Sequence, residues 1–151
     1  MWIELNDAEQ RLAKYIGMKR YQMNRATGVV DAQQSDLNAE QIDLNGAGAE
    51  IAYCKANNIF PPTATDRPTK KADGTTHFGV QVDVKHSVNG RNLNVVRWAK
   101  AGDVDLYALV EGDFPKYRIV GHMLSSDMLK EERLKPGHSG MYYSAAREEL
   151  T

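Results

Sequence analysis

Residues 78–87 read FGVQVDVKHS. Val80, Val82 and Val84 alternate with Gln81, Asp83 and Lys85, the period-two pattern of a strand with an apolar face towards a core and a polar face away from it. An acid and a lysine two positions apart therefore share one face. An edge strand with its polar face in water satisfies this alternation, and so does a strand that presents a carboxylate and an ammonium group to a site. What precedes the strand bears on the choice. A helical segment carrying Glu50 and a loop carrying Asp66 and Asp73 run into it, so three acids and a lysine can converge.

Downstream, LNVVRW, DVDLYALVEG and KYRIVGHM also read as strands. Asn89-Gly90 suits a two-residue hairpin turn and EGDFP a second tight turn, so residues 77–86 and these three segments are predicted to form an antiparallel meander. SSDMLKEERLKPG predicts a short helix ending at Pro136-Gly137, and GMYYSAAREELT a short strand followed by a terminal helical turn. Upstream, a helix is predicted over about residues 6–22, capped by Asn6 or Asp7, with Ala8, Leu12, Tyr15 and Ile16 at helical spacing. The polar stretch that follows reads as a connection closed by a second helix, capped by Asn45 and stopped at Pro61-Pro62. Glu50 falls in its first turns, where the helix dipole favours a carboxylate, and Gly46, Ala47, Gly48 and Ala49 suit close approach to a sheet. The fold class expected is α+β in one domain over residues 1–151: helix, then a mixed, mainly antiparallel sheet with flanking helices.

Composition narrows the function classes. Nineteen Lys and Arg against twenty Asp and Glu give a formal net charge of −1, so any basic groove is local. One cysteine excludes an intramolecular disulfide framework and a cysteine-only zinc site, and fits a reducing compartment. No stretch reads as a membrane span or export signal, so a cytoplasmic protein with no membrane partner is expected. His77, His86, His122 and His138 lack metal-ligand spacing. His86 should face away from Lys85, Cys54 should be a small buried hydrophobe, and Trp98 is expected in the core.

GAGAEIAYCK (46–55), KADGTTHFGVQVDVKHS (71–87) and the triplet Asp83-Val84-Lys85 together resemble the PD-(D/E)XK nuclease superfamily, whose fold is called restriction-endonuclease-like. In that family a helix glutamate precedes a meander, an aspartate lies at the end of a strand or in the turn after it, and an acid-x-lysine triplet occupies the next strand. The resemblance covers residues 45–145 and extends through NLNVVRWAKAGDVDLYALVEGDFPKYRIVGHM, which is similar to the strand-pair region of small phage and bacterial members. Residues 1–44 form an N-terminal helix and connection outside it. The chain departs from the family pattern in lacking a Pro-Asp pair: Asp73 follows Ala72, and Asp66 is followed by Arg67-Pro68.

The resemblance implies metal-dependent hydrolysis of DNA phosphodiesters. It implies Asp73, Asp83 and Glu50 as metal ligands, with Asp66 as the reserve for Asp73, and Lys85 and Glu50 as catalytic groups. The residue types suit that chemistry, because hard carboxylate oxygens fit Mg²⁺, with Mn²⁺ as substitute, better than Zn²⁺. A lysine near the cation suits orienting or deprotonating the attacking water. Lys70, Lys71, Arg91 and Arg97 are candidates for phosphate contact, with DNA as partner, a homodimer to supplement the modest basic inventory, and no small-molecule cofactor.

Overall fold

The structure is a computed structural model, and it describes residues 1–26, 38–61 and 72–151. Helix α1, Asp7–Ala26, starts at Asn6, whose Oδ1 accepts from the Glu9 N–H at 2.9 Å while the Glu9 carboxylate accepts from the Asn6 N–H at 2.7 Å. This reciprocal capping satisfies two of the donors that a helix start leaves open. Its buried stripe is Ala13, Ile16, Gly17 and Arg20.

Helix α2, Ala39–Ala56, begins before the expected Asn45: Asn38 and Gln41 form the capping box. Asn45 instead lies inside the helix, buried, where its Oδ1 accepts from the Phe114 N–H at 2.9 Å. The helix ends ahead of Pro61, at Asn57, and Asn58 turns the chain out with φ +54°, a conformation Asn tolerates. Small residues let α2 lie tightly between its neighbours. A Cβ on Gly17 of α1 would stand 2.9 Å from the Leu44 Cα, and one on Gly48 would stand 2.8 Å from the Tyr117 Cζ.

Strands β1 (Ile3–Glu4), β2 (Gly74–Thr75), β3 (Gln81–Ser87), β5 (Leu106–Asp113) and β6 (Lys116–Leu124) form one sheet in the order β1-β6-β5-β3-β2. β3 and β5 run parallel, with Val82 opposite Leu106 and Asp83 opposite Tyr107; the other pairs are antiparallel. The predicted four-strand meander is therefore corrected. β4 (Asn92–Val96) leaves this sheet and joins β7 (Leu134–Gly137) and β8 (Gly140–Ala146) in a small antiparallel sheet of order β4-β8-β7. Burial gives the physical reason. Tyr107 to Gly112 are buried residue after residue, as in a central strand covered on both faces, whereas β4 alternates exposed Asn92 and Asn94 with buried Leu93 and Val95 and covers a core from one side.

Asn89-Gly90 still turns the chain, with Gly90 at φ +60° and its missing Cβ replaced by the Glu111 side chain, but it links two sheets. The β5–β6 turn forms within the expected EGDFP stretch, at its last two residues, Phe114-Pro115. Helix α3 covers only Ser125–Met128, and the chain is extended by Leu134, so the predicted helix to Pro136-Gly137 is shorter than expected. β8 and a terminal 3₁₀ turn at Arg147–Glu149 match the reading.

The result is an α+β architecture with two cores. Ile16, Ala49, Ala52, Val82, Val84, Ala108 and Val110 fill the space between helices and sheet. Leu93, Val95, Tyr107, Leu109, Met123, Met128 and Ala145 fill the space between the opposite sheet face and the small sheet. No described helix is long and apolar enough to cross a membrane.

Candidate active site

The valines of β3 enter the core beneath the helices, which turns Asp83 and Lys85 to the other face of the strand. The Lys85 Nζ lies 3.0 Å from the Asp83 Oδ2, and the two side chains keep only 29% and 22% of their exposure. A strand face simply left in water would be far more open.

Asp73 completes the corner from the neighbouring segment. β2 is two residues long, and where it stops Asp73 takes over the edge of β3: its N–H donates to the Val82 carbonyl at 2.8 Å, and its Oδ2 accepts from the Val84 N–H at 2.7 Å. A carboxylate thus occupies the ladder position that a longer strand would have filled with a carbonyl. Asp73 is buried and within hydrogen-bonding reach of Asp83. Burial, and then the like charge of Asp73, push the Asp83 carboxyl up to about 7 against the opposing pull of Lys85. Burial draws the Lys85 ammonium down, but Asp83 and Asp73 outweigh it, so its pKa is raised and it is charged at neutral pH.

Glu50 approaches from α2. It is twelve residues into the helix and buried, so the dipole of a first turn does not account for it. Arg20 of α1 does: its two terminal nitrogens donate to the two Glu50 oxygens, each at 2.8 Å, with side chains 5% and 8% exposed. Burial works against the Arg20 charge, but Glu50 first, then Asp73 and Asp43, raise its pKa. Arg20 therefore feels both Glu50 and Asp73 and joins the helix glutamate to the strand carboxylates. Tyr107, opposite Asp83 on β5, is 1% exposed, and burial followed by the Asp83 charge raises its phenol pKa.

The sequence reading missed Arg20, Asp43 and Tyr107. Arg20 had a signal: it continues the Ala13, Ile16, Gly17 stripe, and a charge on an apolar stripe needs a buried partner. Asp66, Lys70 and Lys71 lie outside the described residues. Arg91 and Arg97 are both exposed, at opposite ends of β4 and so about 20 Å apart at strand rise. Arg97 is at the end where the chain returns to β5 beside the start of β3; Arg91 is at the far end. His86 points away from Lys85, its Nε2 2.8 Å from the Gly112 carbonyl, and Cys54 is buried, both as expected. Trp98 is not in the core: it is 72% exposed, in the turn after β4, and this corrects the expectation.

Among the described residues no group of three or more His, Cys, Asp or Glu side chains gathers as a metal cluster. The corner offers two carboxylates, and two suit Mg²⁺, which keeps most of its waters. The crowding of Asp73 against Asp83 is the local sign of such a fit, because a cation relieves the repulsion that otherwise retains a proton. No protein-family model matches the chain, and no curated protein matches it.

Proposed function

We propose that this chain is a small metal-dependent nuclease with a restriction-endonuclease-like core, hydrolysing DNA phosphodiester bonds at the Asp73–Asp83–Lys85 corner. The observation that carries this reading is the meeting of two crowded carboxylates at one strand edge with an ammonium group 3.0 Å from one of them. The order along the chain agrees with it: helix glutamate, aspartate at the edge of the short β2, acid-x-lysine on β3.

Asp73 and Asp83 would hold the cation, Mg²⁺ or Mn²⁺, which when bound polarises a phosphoryl oxygen and lowers the pKa of a water. Lys85 enters the reaction charged, so it acts as a donor that orients the attacking water and stabilises developing negative charge on the phosphoryl group. Glu50 acts through Arg20, whose guanidinium it fixes near Asp73, and so positions the carboxylate pair. Arg97, exposed in the turn after β4, is the candidate phosphate contact on this reading.

Cleavage of single-stranded and plasmid DNA in Mg²⁺ tests the reading. Asp83→Ala and Lys85→Ala should each lose activity by about a hundred-fold or more while keeping the wild-type circular dichroism spectrum. Folded variants with full metal-dependent cleavage would overturn it. The engagement of both Glu50 oxygens by Arg20 favours a second reading, a catalytically inactive nucleic-acid-binding protein on the same fold. DNA binding with no cleavage in Mg²⁺ or Mn²⁺ would select that one.

A further inference from the structure

Three large aromatic side chains stand in solvent around the end of the sheet where β3 begins: Phe60 is 83% exposed, Phe78 95% and Trp98 72%. Phe60 follows the end of α2 and lines an open pocket of about 420 Å³ together with Asn58, Asp73, Thr75 and His77. Phe78 lies in the turn between β2 and β3, where Gly79 has φ +80° and donates to the Thr76 carbonyl at 2.9 Å. Trp98 lies in the turn after β4, beside Arg97.

We propose that this pocket receives an unpaired nucleobase, and hence that the substrate is single-stranded or frayed DNA; the inference rests on the nuclease reading above. The pocket and the proposed cation site share a wall, because Asp73 belongs to both. A base held against Phe60 would therefore bring the phosphate of its own strand to the Asp73–Asp83 pair. The pocket chemistry suits a base. Phe60 offers an apolar face for stacking, and Asn58, Thr75 and His77 supply donors and acceptors for a polar edge.

The charge distribution points the same way. With a net charge of −1 the chain has no global positive field to hold a duplex by its phosphates, whereas stacking on aromatic side chains supplies sequence-tolerant affinity for unpaired strands. Phe60 and Phe78 have no polar group to justify their exposure, and a stacked base would cover them. A base inside a duplex is already stacked on both faces and cannot enter.

The test compares fluorescence anisotropy of a labelled mixed-sequence single strand with that of the same strand in a blunt, fully paired duplex, without added divalent cation. The single strand should bind at least about ten-fold more tightly, and Phe60→Ala and Phe78→Ala should each weaken it by about ten-fold. Tyr15→Ala, which removes a half-exposed aromatic on α1, should leave binding unchanged. Equal binding of strand and duplex, or wild-type affinity in both phenylalanine variants, would overturn the proposal. Cleavage in Mg²⁺, run in parallel, separates the two readings. Undiminished cutting of single-stranded DNA by Phe60→Ala removes the pocket and leaves the nuclease. Aromatic-dependent binding with no cleavage by the wild type removes the nuclease and keeps the base pocket.

Discussion

Arg20 and Glu50 each bring an ionised group into the protein interior, where either alone would be costly. Paired through two 2.8 Å hydrogen bonds, they offset much of that cost. Removing one partner strands the other, so Arg20→Ala should destabilise the fold by about 3–5 kcal/mol in urea unfolding. The double variant Arg20→Met/Glu50→Leu should be more stable than either single change, because neither leaves a buried charge. A double variant no more stable than the single ones would show that no buried charge is stranded by either change. The pair was half legible in the sequence. Arg20 lies on the buried stripe of α1, but with Asn45 as the cap Glu50 falls in the first turns, where the helix dipole accounts for a carboxylate and the resemblance implies a metal, and neither calls for an arginine. The true cap, Asn38 with Gln41, carries the full S/T/D/N-x-x-E/Q pattern about two turns earlier, whereas Asn45 has Gly48 in the third place.

At the scale of elements, the close approach of α2 to β6 depends on Gly48, where an added Cβ would meet the Tyr117 ring. Tyr117 is fully buried and its hydroxyl lies 3.4 Å from the Asn45 Oδ1, so it has little room to give way. Gly48→Ala should therefore cost about 1–3 kcal/mol despite the better helix propensity of alanine, as measured by denaturant midpoint. Gly46, which has open space around its Cβ position, is the control and should tolerate alanine. The sequence did show that small residues here face a close neighbour. It also showed every strand from β3 to β6, the turn at Gly90 and the polar face of β3. Strand pairing was not legible. Asn89-Gly90 is as good a signal for a turn between two sheets as for a hairpin, and only the unbroken burial of β5 shows that it needs β3 beside it rather than β4. The site suffered less, because Asp83 and Lys85 depend on alternation and Asp73 on its nearness to β3, not on where β4 goes.

For the whole molecule, the carboxylate corner ties stability to pH and, on the function proposed above, to divalent cations. Asp83 has a folded-state pKa of about 7, above that of an unfolded aspartate, so the folded protein binds more protons between about pH 4 and 7. The sign follows: this group lowers stability as pH rises through that window, and its effect is complete above about 7. Asp83→Asn removes the titration, so the stability of the variant minus that of the wild type should increase from pH 4 to pH 7 and then level off, as read from thermal melts without divalent cation. A difference independent of pH would show that Asp83 titrates normally. Mg²⁺ should reverse the trend in the wild type. It competes with the retained proton, so its apparent affinity should rise with pH up to about 7, and its binding should raise the melting temperature in a concentration-dependent way.

The most direct measurement is calorimetric titration of Mg²⁺ and Mn²⁺ into the wild type and Asp83→Asn at pH 8, with cleavage of single-stranded and plasmid DNA followed in the same samples. The wild type should bind the cation and cleave DNA in its presence, and both should be lost in a variant that remains folded. If neither protein binds the ion, or both bind it equally, Asp73 and Asp83 do not form a cation site and the account of this corner as a nuclease centre is wrong.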